Sequence, residues 1–280
     1  GAVKLAEPLL DERVVVVNGD VLTDIDLTAQ IAQHERTGAR LTLALVSVED
    51  PSAYGLVRCH PDGRVREFLE KPSPDQIDTN LINAGAYVME REVLASVPSG
   101  RPVSIEREVF PKLVDDGLYG FQAGAYWLDI GTPQRYLQAT HDILDGAVQT
   151  TVQDAFDAHN LAIAADAEIR GRLVGPAFVD SGAVIEPGAL VSGRTVIGRG
   201  ARIGAGSHVD GAVLLDGVEV GPRSTVTHAI VGAGAQLGAH CRIGEGVVLG
   251  EGVVLGADNH LAAGARLFPN VSLPDGAIRF

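Results

Sequence analysis

The segment IEPGALVSGRTVIGRGARI, from Ile185 to Ile203, contains the pattern that determines the architecture of the second half of the chain. An aliphatic residue recurs at every sixth position, and glycine often follows it directly. A period of six with one inward aliphatic residue per step fits a parallel β-helix of triangular cross-section. An α-helix would need apolar residues spaced by about 3.6 and would lose about 1 kcal/mol at each glycine. The stretch therefore predicts a β-helix.

The six-residue period continues almost to the end of the chain, with one-residue slips at Val220 and Val231. The predicted inward residues are Ile185, Val191, Ile197, Ile203, Val209, Leu215, Val220, Val226, Val231, Leu237, Ile243, Leu249, Leu255, Leu261 and Leu267. The pattern resembles the hexapeptide-repeat family of left-handed β-helices, and the left-handed sense is implied by that resemblance rather than by the spacing.

The residues before the repeat alternate predicted strands and helices. We predict strands at 13–17, 41–48, 65–69 and 84–88, with a further strand ending near 128. Helices are predicted at 27–37, capped by Asp26 and ended by Gly38, and at 132–146. A short helix after Ser104 would carry Ile105, Val109 and Leu113 on one face. This alternation predicts an α/β layer with a mostly parallel sheet, in which ligands bind beyond the carboxyl ends of the strands.

Composition places a domain boundary between the two patterns. The chain has 280 residues, enough for two domains, and 22 of its 34 glycines lie between Gly171 and Gly276. Only three aromatic residues follow residue 170, as expected for a narrow stacked core. We predict an α/β domain at 1–148, a linker at 149–167 and a β-helix domain at 168–280.

The charge balance excludes some kinds of partner. The formal net charge is −14, which argues against a broad nucleic-acid or anionic-membrane surface. Two cysteines, Cys59 and Cys241, cannot form a disulfide framework or a common zinc motif. No apolar run approaches the ~18 to 20 residues of a membrane span, and no signal peptide opens the sequence. We expect a soluble, cytoplasmic protein without nucleic-acid or membrane partners.

Two acids follow predicted strands and are candidate metal ligands. Asp20 comes directly after the valine strand, in Asn18-Gly19-Asp20, where Gly19 would let the backbone approach a ligand; an ordinary turn explains this tripeptide equally well. Asp129 precedes a helix whose cap would be Thr132, with Pro133 in its first turn. Two such acids could hold one Mg²⁺ and leave room for phosphate oxygens.

Other polar and glycine positions at strand ends are candidate binding residues. Lys71 is one of only three lysines among 22 basic residues, and a compact cation suits phosphate, although a solvated Glu-Lys pair is the commoner explanation. Asparagine offers a donor and an acceptor to a sugar hydroxyl. The candidates are Glu70, Lys71, Asn83, Gly85, Tyr54 and Gly55. Each is a weak signal alone, because glycine in a strand often marks only a bulge.

Four histidines lie in the repeat: His208, His228, His240 and His260. A histidine can act as a general base, as some β-helix acyltransferases use one at a subunit interface. Polar residues are common at the outward positions of a β-helix, so we interpret these histidines as surface residues without a catalytic role.

Six segments in this order resemble the sugar-1-phosphate nucleotidyltransferases. They are Val14–Asp20, Tyr54-Gly55, Phe68–Pro72, Asn83–Gly85, Ser104–Pro111 and Trp127–Pro133; Ser104–Pro111 is most similar to mannose-1-phosphate guanylyltransferases. The resemblance implies a Rossmann-like nucleotidyltransferase domain followed by a left-handed β-helix. It also leads us to expect an N-terminally incomplete domain, because the family opens with a Gly-Gly-x-Gly-Thr-Arg-Leu loop and this sequence begins Gly1-Ala-Val-Lys.

The resemblance assigns roles to the candidate residues. Asp20 and Asp129 match the Mg²⁺-binding acids, and Lys71 matches a residue that contacts the sugar phosphate. Glu70, like Lys71, matches a residue that contacts the sugar and its phosphate, and Asn83, Gly85, Tyr54 and Gly55 match the sugar pocket. The implied reaction joins a hexose 1-phosphate, by preference mannose 1-phosphate, to an NTP, by preference GTP, and releases pyrophosphate.

Several alternatives stay open at this point. Glucose 1-phosphate with dTTP, UTP or ATP is an alternative substrate pair. A non-catalytic regulatory or scaffold relative and a β-helix acyltransferase are alternative functions. Because stacked coils offer flat faces and ends, we also expect a homo-oligomer formed through the β-helix.

Overall fold

The computed structural model describes residues 2–279, and the chain divides into two compact units, residues 1–127 and 128–280. The helices are α1 (Ala2–Ala6), α2 (Leu27–Thr37), α3 (Ile105–Glu108), α4 (Phe110–Leu113) and α5 (Pro133–Leu144), with 3₁₀ turns at Glu7–Leu9, Pro74–Gln76, Arg91–Ser96 and Thr151–Ala155. Among the described residues, no helix has both the length and the hydropathy that crossing a bilayer requires.

The strands of the first unit are β1 (Arg13–Val17), β2 (Val21–Thr23), β3 (Leu41–Ser47), β4 (Gly55–Cys59), β5 (Val65–Glu70), β6 (Leu81–Glu90) and β7 (Leu118–Gln122). Its main sheet has the order β5-β4-β6-β3-β7, with β1 paired to β6 as well. Only β3 and β7 are parallel; the other pairs are antiparallel. The prediction of a mostly parallel sheet is wrong, because links such as residues 60–64 between β4 and β5 are too short for a parallel crossover.

Strand β3 lies between β6 and β7 in this sheet, and all its residues except Ser47 are buried. Alternate residues therefore serve two apolar clusters, one on each face of the sheet. The predicted helix at 27–37 is confirmed as α2: the Asp26 carboxylate accepts a hydrogen bond from the Ala29 N–H at 2.9 Å, and Gly38 ends the helix with φ of 62°.

The predicted single helix after Ser104 is wrong in one respect. Ser104 caps it as expected, by accepting a hydrogen bond from the Arg107 N–H. The helix then breaks into the one-turn segments α3 and α4, with Val109 between them. Pro111 lies at the break and has no N–H to donate to the carbonyl one turn earlier, so the helical ladder cannot continue.

The second unit begins with the end of β8 (Trp127–Asp129) and continues through α5 into a parallel β-solenoid of about six turns, consistent with a left-handed β-helix. Its strands are β9 (Leu161–Ile163), β10 (Glu168–Ile169), β11 (Arg172–Leu173), β12 (Ala177–Val179), β13 (Val184–Ile185), β14 (Leu190–Ser192), β15 (Thr195–Ile197), β16 (Arg202–Ile203), β17 (His208–Asp210), β18 (Val213–Leu214), β19 (Glu219–Val220), β20 (Thr225–Thr227), β21 (Ile230–Val231), β22 (Gln236–Leu237), β23 (Arg242–Ile243), β24 (Val248–Leu249), β25 (Val254–Leu255), β26 (His260–Leu261), β27 (Arg266–Leu267) and β28 (Ser272–Leu273). They form three parallel sheets, one on each side of the coil.

The predicted inward column is confirmed except at one position. Leu214 is buried, whereas Leu215 is 37% exposed, so the first slip falls between Val209 and Leu214 rather than at Val220. A second inward column, two residues before the first, was not predicted. Its buried members include Ala183, Ala189, Ala201, Ala212, Ala229 and Ala235. Small side chains fill this column because the triangular interior is too narrow for two large residues per side.

Part of the second column is polar and forms a hydrogen-bonded ladder. The Ser207 hydroxyl donates to the Gly221 carbonyl at 2.8 Å and accepts from the Ser224 N–H at 3.0 Å. The Ser224 hydroxyl repeats this one coil later, donating to the Gly238 carbonyl and accepting from the Cys241 N–H. These buried hydroxyl groups are therefore satisfied inside the solenoid.

Candidate functional site

The turn after β1 carries Asn18, Gly19 and Asp20. The Asn18 N–H donates to the Gly85 carbonyl at 2.8 Å, which fixes the turn against strand β6. Asp20 is exposed, and no heavy atom lies within 4 Å of the position that a Cβ on Gly19 would take. The turn therefore presents a free carboxylate beside open space.

Strand β6 has a bulge at Asn83–Ala86, where the pairing with β3 shifts between Leu43 and Leu45. Gly85 lies in the bulge with φ of 77°, which a residue with a side chain rarely adopts. The Asn83 amide N–H donates to the Tyr87 hydroxyl at 2.9 Å, and its carbonyl oxygen accepts from the Gly85 N–H at 3.2 Å. Bulges of this kind often lie beside active sites, where they redirect side chains.

Trp127 connects the bulge to Tyr54. Its indole N–H donates to the Ala84 carbonyl at 2.8 Å, and its ring packs edge-on against Tyr54 with the centroids 5.2 Å apart. Trp127 was not predicted as a site residue. The sequence pattern could not identify it, because the carbonyl that accepts its indole N–H lies 43 positions earlier in the chain.

The paired ends of β4 and β5 carry Gly55, Glu70 and Lys71. Gly55 lies opposite Glu70, and a Cβ at Gly55 would come 2.7 Å from the Phe68 ring and 3.0 Å from the Glu70 carboxylate. Lys71 is exposed and has a left-handed backbone with φ of 53°. Such a backbone is uncommon for a residue other than glycine and occurs at turns and ligand sites.

A second acid, Glu106 of α3, faces this region and was not predicted as a site residue. Partial burial raises the pKa of the Glu70 carboxyl, and the charge of Glu106 raises it further. Burial also raises the pKa of Tyr87 to about 12. The charges of Glu106 and Glu70 raise this pKa as well, whereas the hydrogen bond from Asn83 lowers it. The structure thus brings together Glu70, Asn83 and Tyr87 with the Glu106 charge.

Asp129 belongs to the second unit. One carboxylate oxygen accepts from the Gly131 N–H at 2.8 Å, and the other lies 3.2 Å from the Arg135 guanidinium. As predicted, Thr132 caps α5 and Pro133 is its first residue. A carboxylate has about four lone-pair sites, so two remain for a cation.

The donor chemistry fits Mg²⁺ only if the substrate supplies further oxygens. Within residues 2–279, no group of three or more His, Cys, Asp or Glu side chains is arranged to hold a metal ion. Mg²⁺ is usually bound through one or two carboxylates together with substrate phosphates and water. Exposed Asp20 and half-exposed Asp129 are hard oxygen donors of this kind.

The histidines of the repeat do not form a nucleophilic triad. The Ser192 hydroxyl lies 3.2 Å from His208 Nε2 but donates to the Asp210 carboxylate at 2.6 Å. In a triad the histidine lies between serine and acid and takes the serine proton, so this order is unsuitable. His228 and His240 occupy left-handed turns.

Comparison with known proteins gives the family. A family model described as nucleotidyl transferase matches residues 1–146, more than half of the chain. The chain belongs to the nucleotidyl transferase family. A second model, described as the GMPPB C-terminal domain, matches residues 173–276, which form the solenoid.

Several named relatives align with the chain. Mannose-1-phosphate guanylyltransferase of Mycobacterium tuberculosis is 41% identical over 200 residues, covering 66% of this chain and 55% of the relative. Mannose-1-phosphate guanylyltransferase catalytic subunit beta of Danio rerio is 37% identical over 142 residues, covering 49% and 39%. UTP--glucose-1-phosphate uridylyltransferase of Synechocystis is 36% identical over 146 residues, covering 51% and 38%. The chain spans about half the length of these relatives or less.

Proposed function

We propose that this chain forms part of a mannose-1-phosphate guanylyltransferase, which transfers GMP from GTP to mannose 1-phosphate. The similarity to the M. tuberculosis enzyme of that name carries the proposal. Its 41% identity extends over 200 residues, more than the nucleotidyl transferase segment alone can hold.

The reaction is a single in-line substitution. A phosphate oxygen of mannose 1-phosphate forms a bond to the α-phosphorus of GTP, the bond from that phosphorus to the β-phosphate oxygen breaks, and pyrophosphate leaves with the electron pair. No covalent nucleophile is needed, so positioning and charge neutralisation supply the rate.

The residues of this chain bind and orient the sugar phosphate. Lys71 is the cation that anchors the phosphate, and because Lys71 is exposed the phosphate can reach it. Glu70 and Asn83 accept and donate hydrogen bonds to sugar hydroxyls, while Tyr54 forms an apolar wall supported by Trp127. Gly19 leaves open space for the ligand, whereas Gly55 and Gly85 let neighbouring side chains pack close to the backbone of the site.

Asp20 and Asp129 are the proposed metal ligands. Nucleotidyltransferases of this family typically use a divalent metal, and we propose Mg²⁺. When bound, the cation neutralises charge that develops on the phosphate oxygens. Asp20 and Asp129 would hold it through carboxylate oxygens.

A substrate panel tests this function. The full-length protein, with whatever precedes Gly1 in its gene, is assayed for pyrophosphate release with mannose or glucose 1-phosphate and GTP, UTP, dTTP or ATP. We expect the highest kcat/KM with mannose 1-phosphate and GTP. A preference for glucose 1-phosphate and UTP would overturn the assignment in favour of the uridylyltransferase activity named for the Synechocystis relative. We expect Asp129→Asn to abolish pyrophosphate release, whereas Asp154→Asn, at an exposed acid outside the proposed site, should leave it unchanged.

The remaining predictions stand as proposals beside this one. They are the domain limits at 148 and 168, a cytoplasmic location and self-association through the solenoid. Light scattering at micromolar concentration tests the last, and a monomeric mass would contradict it. Release of no pyrophosphate with any pair would favour a regulatory or scaffold role.

A further inference from the structure

The nucleotidyl transferase segment and the compact unit that contains the solenoid overlap in one part of the chain. The nucleotidyl transferase segment runs to residue 146, yet the compact unit that contains the solenoid begins at Leu128. The helix α5 therefore falls inside the transferase sequence but contacts the β-helix, and Asp129 lies just before it in the chain. One of the two proposed metal ligands thus belongs structurally to the solenoid unit.

Polar contacts tie α5 to the solenoid at its C-terminal half. His141 donates from Nε2 to the Gly211 carbonyl at 3.0 Å, in the turn between β17 and β18. Asp145, just after the helix, accepts from Arg194 at 2.6 Å. The His141 ring also packs edge-on against His228, with the centroids 5.9 Å apart.

A groove lies between the N-terminal half of α5 and the solenoid. Pro133, Leu137 and His141 are four residues apart and lie on one side of the helix. They line a groove of about 210 Å³ whose opposite wall includes Ile230 and Val248 of the solenoid. The C-terminal half of α5 therefore contacts the coils directly, and its N-terminal half faces them across this groove.

The first turn of the same helix holds Asp129. The Arg135 guanidinium lies 3.2 Å from one carboxylate oxygen. The backbone N–H of Arg135 donates to the hydroxyl of Thr132, which caps the helix. The Gly131 N–H holds the other oxygen at 2.8 Å. Both oxygens of the acid are thus oriented by residues of the loop and helix that follow it.

We propose that the β-helix is a positioning element of the transferase site: it fixes α5, and α5 orients the Asp129 carboxylate through Arg135. This inference rests on the proposed function, because it requires Asp129 to bind the metal. Arg135 and His141 are positioning residues, since they act through Asp129.

Two effects of Arg135 on a bound cation oppose each other. Its positive charge repels the cation, whereas its ion pair with Asp129 holds the carboxylate in one rotamer. Both side chains are more than a third exposed, so solvent screens the repulsion. Residues that orient a metal ligand typically change affinity or activity by about 10- to 100-fold. Orientation is therefore the larger effect.

Mn²⁺ binding without substrates tests this directly, measured on the full-length protein by water-proton relaxation. We expect Arg135→Gln to weaken Mn²⁺ binding by about 10-fold. Arg135→Lys keeps the charge but loses the planar fork, so it should also weaken binding. Tighter binding by Arg135→Gln would mean that repulsion dominates and would overturn the proposal.

A second set of variants tests the solenoid contact. His141→Leu removes the donor to Gly211 and should weaken Mn²⁺ binding, whereas His141→Gln can still donate and should restore much of it. His159→Leu, an exposed histidine of the same unit, is the matched control and should bind as the wild type does. If His141→Leu is folded by circular dichroism and binds Mn²⁺ unchanged, the solenoid does not position Asp129.

The two hypotheses fail in different ways. If Asp129→Asn abolishes Mn²⁺ binding and transfer while the Arg135 and His141 variants keep both, the function stands and the positioning role is wrong. If Asp129→Asn binds Mn²⁺ like the wild type, the metal assignment fails and the positioning proposal fails with it.

Discussion

The Asn18 side chain occupies the space in which a side chain at Gly85 would lie. Its amide nitrogen is 2.7 Å from the position of a Cβ on Gly85, and the two backbones are joined by a 2.8 Å hydrogen bond. The turn that carries Asp20 and the bulge that carries Asn83 are therefore fixed to each other.

Gly85→Ala should destabilise the protein, because the alanine would meet Asn18 and adopt a left-handed backbone. The backbone alone costs about 1–2 kcal/mol. Gly19→Ala has open space and no left-handed φ, so its free energy of unfolding should change by less than about 0.5 kcal/mol. Urea unfolding measures both. Equal losses would contradict the contact, and a stable but inactive Gly19→Ala would support close approach of a ligand at Gly19.

Lys71→Ala should raise KM for the sugar phosphate. A hydrogen bond to a charged group contributes about 1.5–3 kcal/mol, so kcat/KM should fall by about 10- to 100-fold. Initial-rate kinetics with mannose 1-phosphate provide the measurement, and Lys112→Ala, another exposed lysine of the same unit, is the control. A similar fall for both variants would indicate a general charge effect.

His34 should make stability depend on pH. His34 is buried between Thr42 and Glu90. Burial lowers the pKa of its imidazole below 6.5, although the hydrogen bond to Glu90 acts to raise that pKa. The unfolded chain then binds the proton more readily than the folded one. The stabilisation is therefore complete above about pH 6.5 and is lost as the pH falls through the lower pKa of the folded state.

His34→Gln removes this titration. The difference in unfolding free energy between wild type and His34→Gln should therefore shrink as the pH falls below about 6.5. Urea unfolding at a series of pH values measures it. His60→Gln, at an exposed loop position, should run parallel to the wild type. A constant difference for His34→Gln would show that His34 does not titrate in this range.

Leu214 and Leu215 are adjacent leucines with opposite environments. Leu214→Ala removes a fully buried side chain and should cost about 2–5 kcal/mol. Leu215→Ala lies on the outside and should change stability by less than about 0.5 kcal/mol. Thermal or denaturant unfolding distinguishes them, and the reverse order would place the slip where the sequence pattern first suggested.

Capping residues and residue periodicity correctly predicted the elements whose formation depends on residues close together in the sequence. Asp26 and Gly38 mark both ends of α2, and the six-residue period predicts the solenoid, because capping and periodicity act within a few residues. Sheet direction was predicted wrongly, since pairing between distant strands depends on link lengths such as that between β4 and β5. The slip was misplaced because Leu214 and Leu215 are chemically identical.

The candidate site shows the same limit. Asp20, Glu70 and Asn83 could be chosen because polar residues at strand ends stand out. Trp127 and Glu106 could not be assigned, because their importance arises from contacts with residues tens of positions away. The bulge at Gly85 is likewise visible only once β3 and β6 are paired.

The serine ladder gives the solenoid a direction. At Ser207 and again at Ser224, the hydroxyl accepts a hydrogen bond from an N–H of the following coil and donates one to a carbonyl of that coil. A coil inserted in the reverse direction would place hydrogen-bond donors opposite donors along this column of serines. Lengthening or shortening the solenoid by protein engineering should therefore succeed only in whole turns inserted with the native polarity.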